Sequence, residues 1–528
     1  MKLLIANGQV CDGSGAAAYP ADILVEGGFI RQIMRRGGPA AEPPDHQPDL
    51  TLIDARGKWV TPGFIDPHRH ADLAALRDDA FGDLELAQGI TTIICGPCGL
   101  SPYVGATPHR AGLLEFLAPC LGEPPPDLPE TLAGFLQAVQ RRQLPLSLFS
   151  MTGTVSWRVA GKGFARDAWT DAELARAGAG LSDDLSAGAR GVSMGLMYAP
   201  ECFSSTEELI RLVRLARGNT LLGCHIRGEG NSLLASVQEV IRIARSAEVS
   251  LNISHFKGTG LANWQKRVPQ AIEIIERSRA AGQDITVDVY PYAGGSTTIL
   301  SLLPPSLQGA TLDQTLAGLA GPDGLERLRQ AMSQTQTGWD NMVASVGWAR
   351  ILLSSLSRAH NRRLIGLTLQ AAADAAGYAD CLVFFRDLLL DEAGAVGIIA
   401  LSMDQADVDT IVRLPYASII SDALYPNGGK PHPRLYGAFA RAVRDWSRER
   451  AILPLETVIH KMTGLTAARY RLSDRGVIRT GARADLAVFD PAGLADHATY
   501  EQPDRLSTGM DWVICAGTPV WQQGRRIR

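Results

Sequence analysis

Two histidines in Phe64-Ile65-Asp66-Pro67-His68-Arg69-His70 are the first residues whose spacing suggests chemistry. In an extended strand successive side chains alternate between faces, so His68 and His70 turn to one side and could chelate a single metal ion. Taken alone, the pair reads as well as two unconnected surface imidazoles. Two more histidines close short apolar runs, His225 after Leu221-Leu222-Gly223-Cys224 and His255 after Leu251-Asn252-Ile253-Ser254, 30 residues apart. That interval is one strand-helix unit, and the repetition favours metal ligation over two separate hydrogen-bonded histidines. Ala417-Ser418-Ile419-Ile420-Ser421-Asp422 ends in a carboxylate that could bind metal and carry a proton at the same centre, or cap a loop.

Cys95-Gly96-Pro97-Cys98 has the spacing of a redox pair, but Gly99 and Pro102 follow within a loop where a redox thiol needs a helix N-terminus. Cys98 then faces the same mouth as the histidines and as a thiolate could bind or bridge metal ions, while Cys95 closes an apolar run as packing. Lys257 stands two residues beyond His255, and Arg434 lies in the loop after the last strand. Both cations suit a substrate carboxylate, or else a solvated lysine and a structural ion pair.

These residues need elements that bring them together. Between residues 60 and 465 short apolar strands alternate with helical stretches, and eight strands end near Pro67, Cys95, Met151, Gly195, Cys224, Ser254, Tyr290 and Ser421. Eight such units close an α/β (β/α)8 barrel of the TIM type, whose reactive groups sit at the strand ends. Thr206 to Ala216 reads as one of the helices, with Glu207 and Glu208 in its first turn. About 130 residues separate Tyr290 from Asp422, too many for a crossover, so a helical insertion between strands 7 and 8, at about 300–400, is expected over the mouth. Residues 1–59 and 466–528 are both rich in short strand-like runs and should meet in one small β-sandwich flanking a 60–465 barrel. The Pro-rich stretch from Gly37 to Pro48 reads as a loop.

Composition agrees with an enzyme of small molecules. With 51 Lys+Arg against 55 Asp+Glu and a net charge of -4, the chain lacks the basic footprint of nucleic-acid or membrane-surface binding. Hydrophobic residues at 46% exclude a disordered chain. The opening Met1-Lys2-Leu3-Leu4-Ile5-Ala6-Asn7-Gly8 reaches a turn too soon for a signal peptide, and eight cysteines are too sparse for a disulfide scaffold, so a soluble cytoplasmic protein is expected. Composition assigns no oligomeric state.

The chain resembles the N-acyl-D-amino-acid deacylases, or D-aminoacylases, of the metal-dependent amidohydrolase superfamily. The resemblance rests on Pro62-Gly63-Phe64-Ile65-Asp66 before the paired histidines, Gly96-Pro97-Cys98-Gly99, His225-Ile226-Arg227-Gly228-Glu229-Gly230 and Ile253-Ser254-His255-Phe256-Lys257. It continues in Tyr290-Pro291-Tyr292 with Ser296-Thr297, in Ser421-Asp422, in Pro431-His432-Pro433-Arg434-Leu435-Tyr436-Gly437 and in Lys461-Met462-Thr463-Gly464. It implies one or two zinc ions, the tighter held by Cys98, His225 and His255 and a second by His68, His70 and Asp422. It further implies hydrolysis of an N-acyl-D-amino acid, with Asp422 taking a proton from the attacking water and returning it to the leaving amine. The substrate carboxylate would be held by Lys257, Arg434, Tyr290 and Ser296. D-selectivity is supplied by the resemblance alone. Arg69 between the histidines, Ala71 before Asp72, Pro97 before the cysteine, and Met194 and Met197 depart from the family's commoner pattern. A hydantoinase- or dihydroorotase-like cyclic-amide hydrolase on the same barrel is the alternative. It typically needs a carboxylated lysine at the fourth strand, where Ser193-Met194-Gly195 offers none. A non-catalytic binding barrel would be expected to have lost one of the six ligands.

Overall fold

The computed structural model of the chain describes residues 2–37, 50–216, 220–309, 311–334, 336, 338–425 and 428–527. The Pro-rich loop expected up to Pro48 lies outside the described residues from position 38 onward.

Both ends of the chain enter the same sheet. Lys2–Val10, Tyr19–Glu26, Phe29–Arg35, Leu50–Asp54 and Trp59–Pro62 come from the first part of the chain; Leu486–Phe489, Met510–Cys515, Thr518–Gln522 and Arg525–Arg526 come from the last. Trp59–Pro62 pairs antiparallel with Leu486–Phe489, Val60 opposite Val488, and this pairing joins the two groups. Hydrogen bonding therefore links the nine strands into one continuous path, with both chain ends in it. Along Tyr19–Glu26 the buried Ala21, Ile23 and Val25 alternate with half-buried neighbours, the period of two that lays one face on a core of Leu3, Ile5, Val60, Val488 and Ile514.

The middle of the chain supplies parallel strands in two hydrogen-bonded groups. Phe64–Asp66, Ile90–Cys95 and Ser147–Ser150 form one; Thr152–Gly153, Val192–Gly195, Leu221–His225, Ser250–Ile253, Ile285–Val289 and Ala417–Ile419 form the other. The groups meet at Met151, whose N–H donates to Cys95 O at 2.9 Å while the next N–H, of Thr152, donates to Gly191 O at 3.0 Å. At the far edge Asp422 N–H donates to His68 O at 3.0 Å, and Ala423–Leu424 pairs in parallel with Arg69–His70. Several of these strands are buried along their whole length, as strands covered on both faces must be. The helix read from sequence at Thr206 forms as Thr206–Leu215. Ser205 Oγ accepts from the Glu208 N–H and the Glu208 carboxylate accepts from the Ser205 N–H, with Leu209, Ile210, Leu212 and Val213 facing inward.

The insertion is not purely helical. Gly295–Thr298, Val396–Ala400 and Ile351–Leu356 form an antiparallel three-stranded sheet, and the helices Leu312–Ala320, Gly324–Ser333, Leu369–Ala375 and Cys381–Asp391 share a separate core with it, built on Leu328, Phe385 and Leu389. Short apolar runs such as Ile351-Leu352-Leu353 carry no period that separates strand from helix, so their pairing is decided by partners far along the chain. Asp340 ties the insertion to the turn after Leu221–His225 by accepting from Gly230 N at 2.8 Å and Ser232 N at 3.1 Å.

Two glycines let the Cys98 turn sit against the neighbouring strand ends. A Cβ on Gly195 would lie 2.2 Å from Cys98 O, and one on Gly153 2.2 Å from Gly99 O. Gly195→Ala should therefore push the turn outward and lower the unfolding free energy by about 1–3 kcal/mol. Gly112→Ala, in the helix Arg110–Leu121 with its nearest atom 3.8 Å away, should instead be neutral or stabilising by up to about 1 kcal/mol. Urea midpoints of the two variants check the contrast.

Candidate metal centre and substrate cleft

All six residues expected as ligands meet at one end of the parallel strands. Cys98 Sγ lies 3.3 Å from His68 Nε2, 3.4 Å from His255 Nε2 and 3.7 Å from His225 Nδ1. Asp422 Oδ1 is 3.4 Å from His68 Nε2 and 3.6 Å from His70 Nε2. Two sets of donors, His68–His70–Cys98 and Cys98–His225–His255, are each close enough to share one ion, with Cys98 common to both. Every one of these side chains is buried.

The backbone has to bend sharply to aim them. Cys98, His255 and Asp422 all have positive φ, 56°, 34° and 52°, in the left-handed region that non-glycine residues avoid at a cost of roughly 1–2 kcal/mol each. Three buried aspartates hold these turns. Asp66 accepts from the N–H groups of His68 at 3.4 Å and Ser421 at 3.1 Å. Asp72 accepts from Gly96 N at 3.3 Å and from Tyr103 Oη at 2.5 Å. Asp288 accepts from the His255 N–H and from Asn252 Nδ2. Nothing in the sequence marked them beyond their place beside strand ends, because their role comes from burial.

Electrostatics prepares a neutral donor set. Burial, reinforced by neighbouring imidazoles or cations, holds the pKa of His68, His225 and His255 below the usual histidine range. Burial likewise pushes the Cys98 thiol well up. Burial opposes ionisation of Asp422 too, but the Arg434 guanidinium, 2.8 Å away, and the surrounding imidazoles overcome it and hold the carboxyl well below its ordinary value. One thiol, four imidazole nitrogens and an ionised carboxylate, all desolvated, are a donor set that fits zinc.

The expected substrate contacts surround this centre. Lys257, Tyr290, Ser296 and Arg434 all line the cleft with the ligands, together with Leu100, Cys120, Met197, Tyr198, Met342 and Leu424. The Arg434 guanidinium lies over the Tyr290 ring at 4.7 Å, and the Tyr290 hydroxyl is buried beside that guanidinium. Ser296 comes from the insertion sheet, and its hydroxyl donates to Ile398 O at 3.3 Å. Lys257 is more committed than its sequence position suggested: Nζ lies 2.6 Å from Glu229 Oε1, 2.9 Å from His255 O and 2.7 Å from His255 Nδ1. Glu229 also lies 3.2 Å from His255 Nδ1, so one carboxylate orients a ligand and a substrate-facing cation together. Sequence reading quoted Glu229 within a motif but gave it no role; an acidic residue four positions after a candidate ligand is the signal that was there. Tyr198, whose hydroxyl is 3.4 Å from His225 Nδ1, also went unmarked. His432 is fully used by the backbone, with Nε2 donating to Gly294 O and Nδ1 accepting from Arg434 N, both at 3.0 Å. Cys95 is buried, and all eight cysteines are free thiols, so no redox disulfide is formed at Cys95 and Cys98.

Comparison with known proteins agrees with this arrangement. Residues 392–521 match the model of the amidohydrolase family. A D-aminoacylase of Alcaligenes xylosoxydans xylosoxydans is 32% identical over 99% of this chain and 94% of its own length, and an N-acyl-D-aspartate deacylase of the same organism is 32% identical over 99% and 92%. Among solved structures, N-acyl-D-glutamate deacylase from Bordetella bronchiseptica, complexed with zinc and a phosphonate mimic of the tetrahedral intermediate, superposes with a TM-score of 0.81 at 30% identity, covering 99% of this chain and 98% of that one. With such identity along nearly its whole length, the chain belongs to the D-aminoacylase family of N-acyl-D-amino-acid deacylases, within the amidohydrolases.

Proposed function

We propose that this protein hydrolyses the amide bond of N-acyl-D-amino acids with one or two zinc ions, releasing a carboxylic acid and a D-amino acid. The observation that carries the reading is the convergence of Cys98, four histidines and Asp422 in a buried cleft that also presents Lys257 and Arg434. Cys98, His225 and His255 would hold the tighter ion; His68, His70 and Asp422 would hold the other. Zinc bound there supplies a Lewis acid for the acyl carbonyl and acidifies water near neutral pH. Asp422, kept ionised by Arg434, accepts the proton of the attacking water and, 2.8 Å from a cation that limits its basicity, gives it up to the leaving amine. Arg434, Tyr290, Ser296 and Lys257 bind the α-carboxylate: the guanidinium offers a fork, and the buried Tyr290 hydroxyl beside it supplies a further donor.

The eight parallel strands read as one closed (β/α)8 barrel over residues 60–465, supported by the bonds at Met151 and Asp422 that join its groups. Residues 1–59 and 466–528 then form the flanking β-domain, with the insertion at about 300–400 roofing the cleft. The substrate is a small molecule, and a cytoplasmic setting goes with eight free thiols. No helix among the described residues is long and apolar enough to cross a membrane. A cyclic-amide hydrolase is disfavoured because the fourth strand end presents Ser193, whose hydroxyl is spent on Gly96 O at 2.6 Å, and no lysine.

Amine release from paired N-acetyl-D- and N-acetyl-L-amino acids, with hydantoins alongside, tests the reading on zinc-loaded and chelator-stripped protein. Zinc-dependent release from the D series alone is expected, and ring opening without amide hydrolysis would replace this function with the cyclic-amide one. Asp422→Asn should lower kcat by about 10²–10⁴-fold with an unchanged melting curve, the range for losing a general acid–base group. Arg434→Met should raise KM for the acyl amino acid. It also removes the charge that lowers the Asp422 pKa, so that pKa rises and the acid limb of the kcat/KM profile must move to higher pH. A limb that stays in place would take Asp422 ionisation out of the rate.

A further inference from the structure

Arg69 stands between two candidate ligands, and its side chain turns away from the cleft that His68 and His70 face. It has no solvent exposure. Five acceptors surround its guanidinium: Nε donates to Tyr425 Oη at 2.7 Å, Nη1 to Asp66 Oδ2 and Ser421 Oγ at 3.2 Å each, and Nη2 to Leu435 O at 3.3 Å, while Glu85 Oε1 lies 2.8 Å from Nη2 as an ion pair. Tyr425 in turn donates to Glu85, and the Ser421 hydroxyl donates to Asp66. Two buried carboxylates therefore share one guanidinium.

The partners belong to segments that the chain brings together from far apart. Asp66 ends the first parallel strand two residues before His68. Ser421 immediately precedes Asp422, and Leu435 immediately follows Arg434. The same seam carries the backbone pairing of Ala423 with Arg69 and of Leu424 with His70. A planar fork with fixed donor directions sets these segments at one separation, which a flexible ammonium could not do.

We propose that Arg69 is a positioning residue that sets Asp422 against the His68–His70 pair, and thereby tunes the metal site and proton transfer they share. This rests on the function proposed above. Arg69 touches neither substrate nor metal donors, so its loss should move the Asp422 side of the centre and leave the Cys98–His225–His255 side alone.

Arg69→Lys in the full-length chain keeps the charge beside Asp66 and Glu85 and loses the fork. Zinc affinities of the first and second equivalents would be measured against a competing chelator, together with the thiolate-to-cobalt absorption band of the cobalt-substituted protein, kcat, KM and melting temperature. The expected pattern is about a 10–100-fold weaker second equivalent and a comparable fall in kcat, with an unchanged cobalt–thiolate band and KM within about threefold. Second-equivalent affinity and kcat both within about twofold of the parent would overturn the proposal, as would a parallel loss of both equivalents with the melting temperature. Should Arg69→Lys not fold, Tyr425→Phe removes one of the five acceptors at a residue bonded to no ligand. It should give the same pattern at about threefold, and no selective change would overturn the proposal. If the parent chain binds a single zinc ion, the two-ion reading of the site fails by itself, and the split of kcat against KM decides the role of Arg69.

Discussion

Four imidazoles, a thiol and a carboxylate packed within a few ångströms and shielded from water are costly in any protein, and the rest of this structure is arranged around that cost. With no cation between them, His68, His225 and His255 are held neutral and Cys98 protonated, because each charged form would be desolvated. The same neutrality is what a divalent ion needs, since it takes lone pairs from imidazoles and displaces the proton from a thiol. Cys98 is the one donor common to both halves of the cluster.

The charge count in the cleft points the same way. Lys257 is bonded to Glu229 and Arg434 to Asp422, so the protein's own cations and carboxylates cancel in pairs. An additional anionic substrate would have no net attraction to such a cleft. A divalent ion balanced by one thiolate leaves a single positive charge, which an α-carboxylate can neutralise. Zinc bound there would also offset the charge of a carboxylate, the group that Lys257, Arg434, Tyr290 and Ser296 are proposed to hold.

The ligands were legible because their chemistry and their period coincide. His68 and His70 sit two apart on an extended segment, and His225 and His255 each close an apolar strand one unit apart, so residue type and position make the same statement. The strand ends near Cys95, Gly195, Ser254 and Ser421 were legible for the same reason: a short apolar run stops where a polar turn begins. That the two ends meet was legible from their shared strand-like runs, but the register that joins them was not, because Val60 opposite Val488 is a pairing across the whole chain that no local pattern encodes. The insertion's strands failed on the same ground. Asp288 was missed because an acidic residue inside an apolar strand announces nothing until burial shows what it must be bonded to, whereas Glu229, four positions after His225, carried a signal that went unused; Lys257 looked freer than it is because spacing does not reveal the carboxylate that claims it.

Asp66, Asp72 and Asp288 show how the ends of parallel strands can hold unfavourable turns in place. Each is buried, each lies at or just beyond the end of a parallel strand, and each accepts N–H groups from the segment that carries a ligand: His68 and Ser421, Gly96 before Cys98, and His255 itself. A carboxylate that accepts a backbone N–H across a turn fixes that turn, because breaking the bond would leave a buried N–H without its acceptor, at a cost of roughly 1–3 kcal/mol. That is comparable with the roughly 1–2 kcal/mol by which each left-handed residue at Cys98, His255 and Asp422 is disfavoured. The aspartate bonds therefore offset the strained conformations, and the positions of the sulfur, the imidazole and the carboxylate follow from that balance.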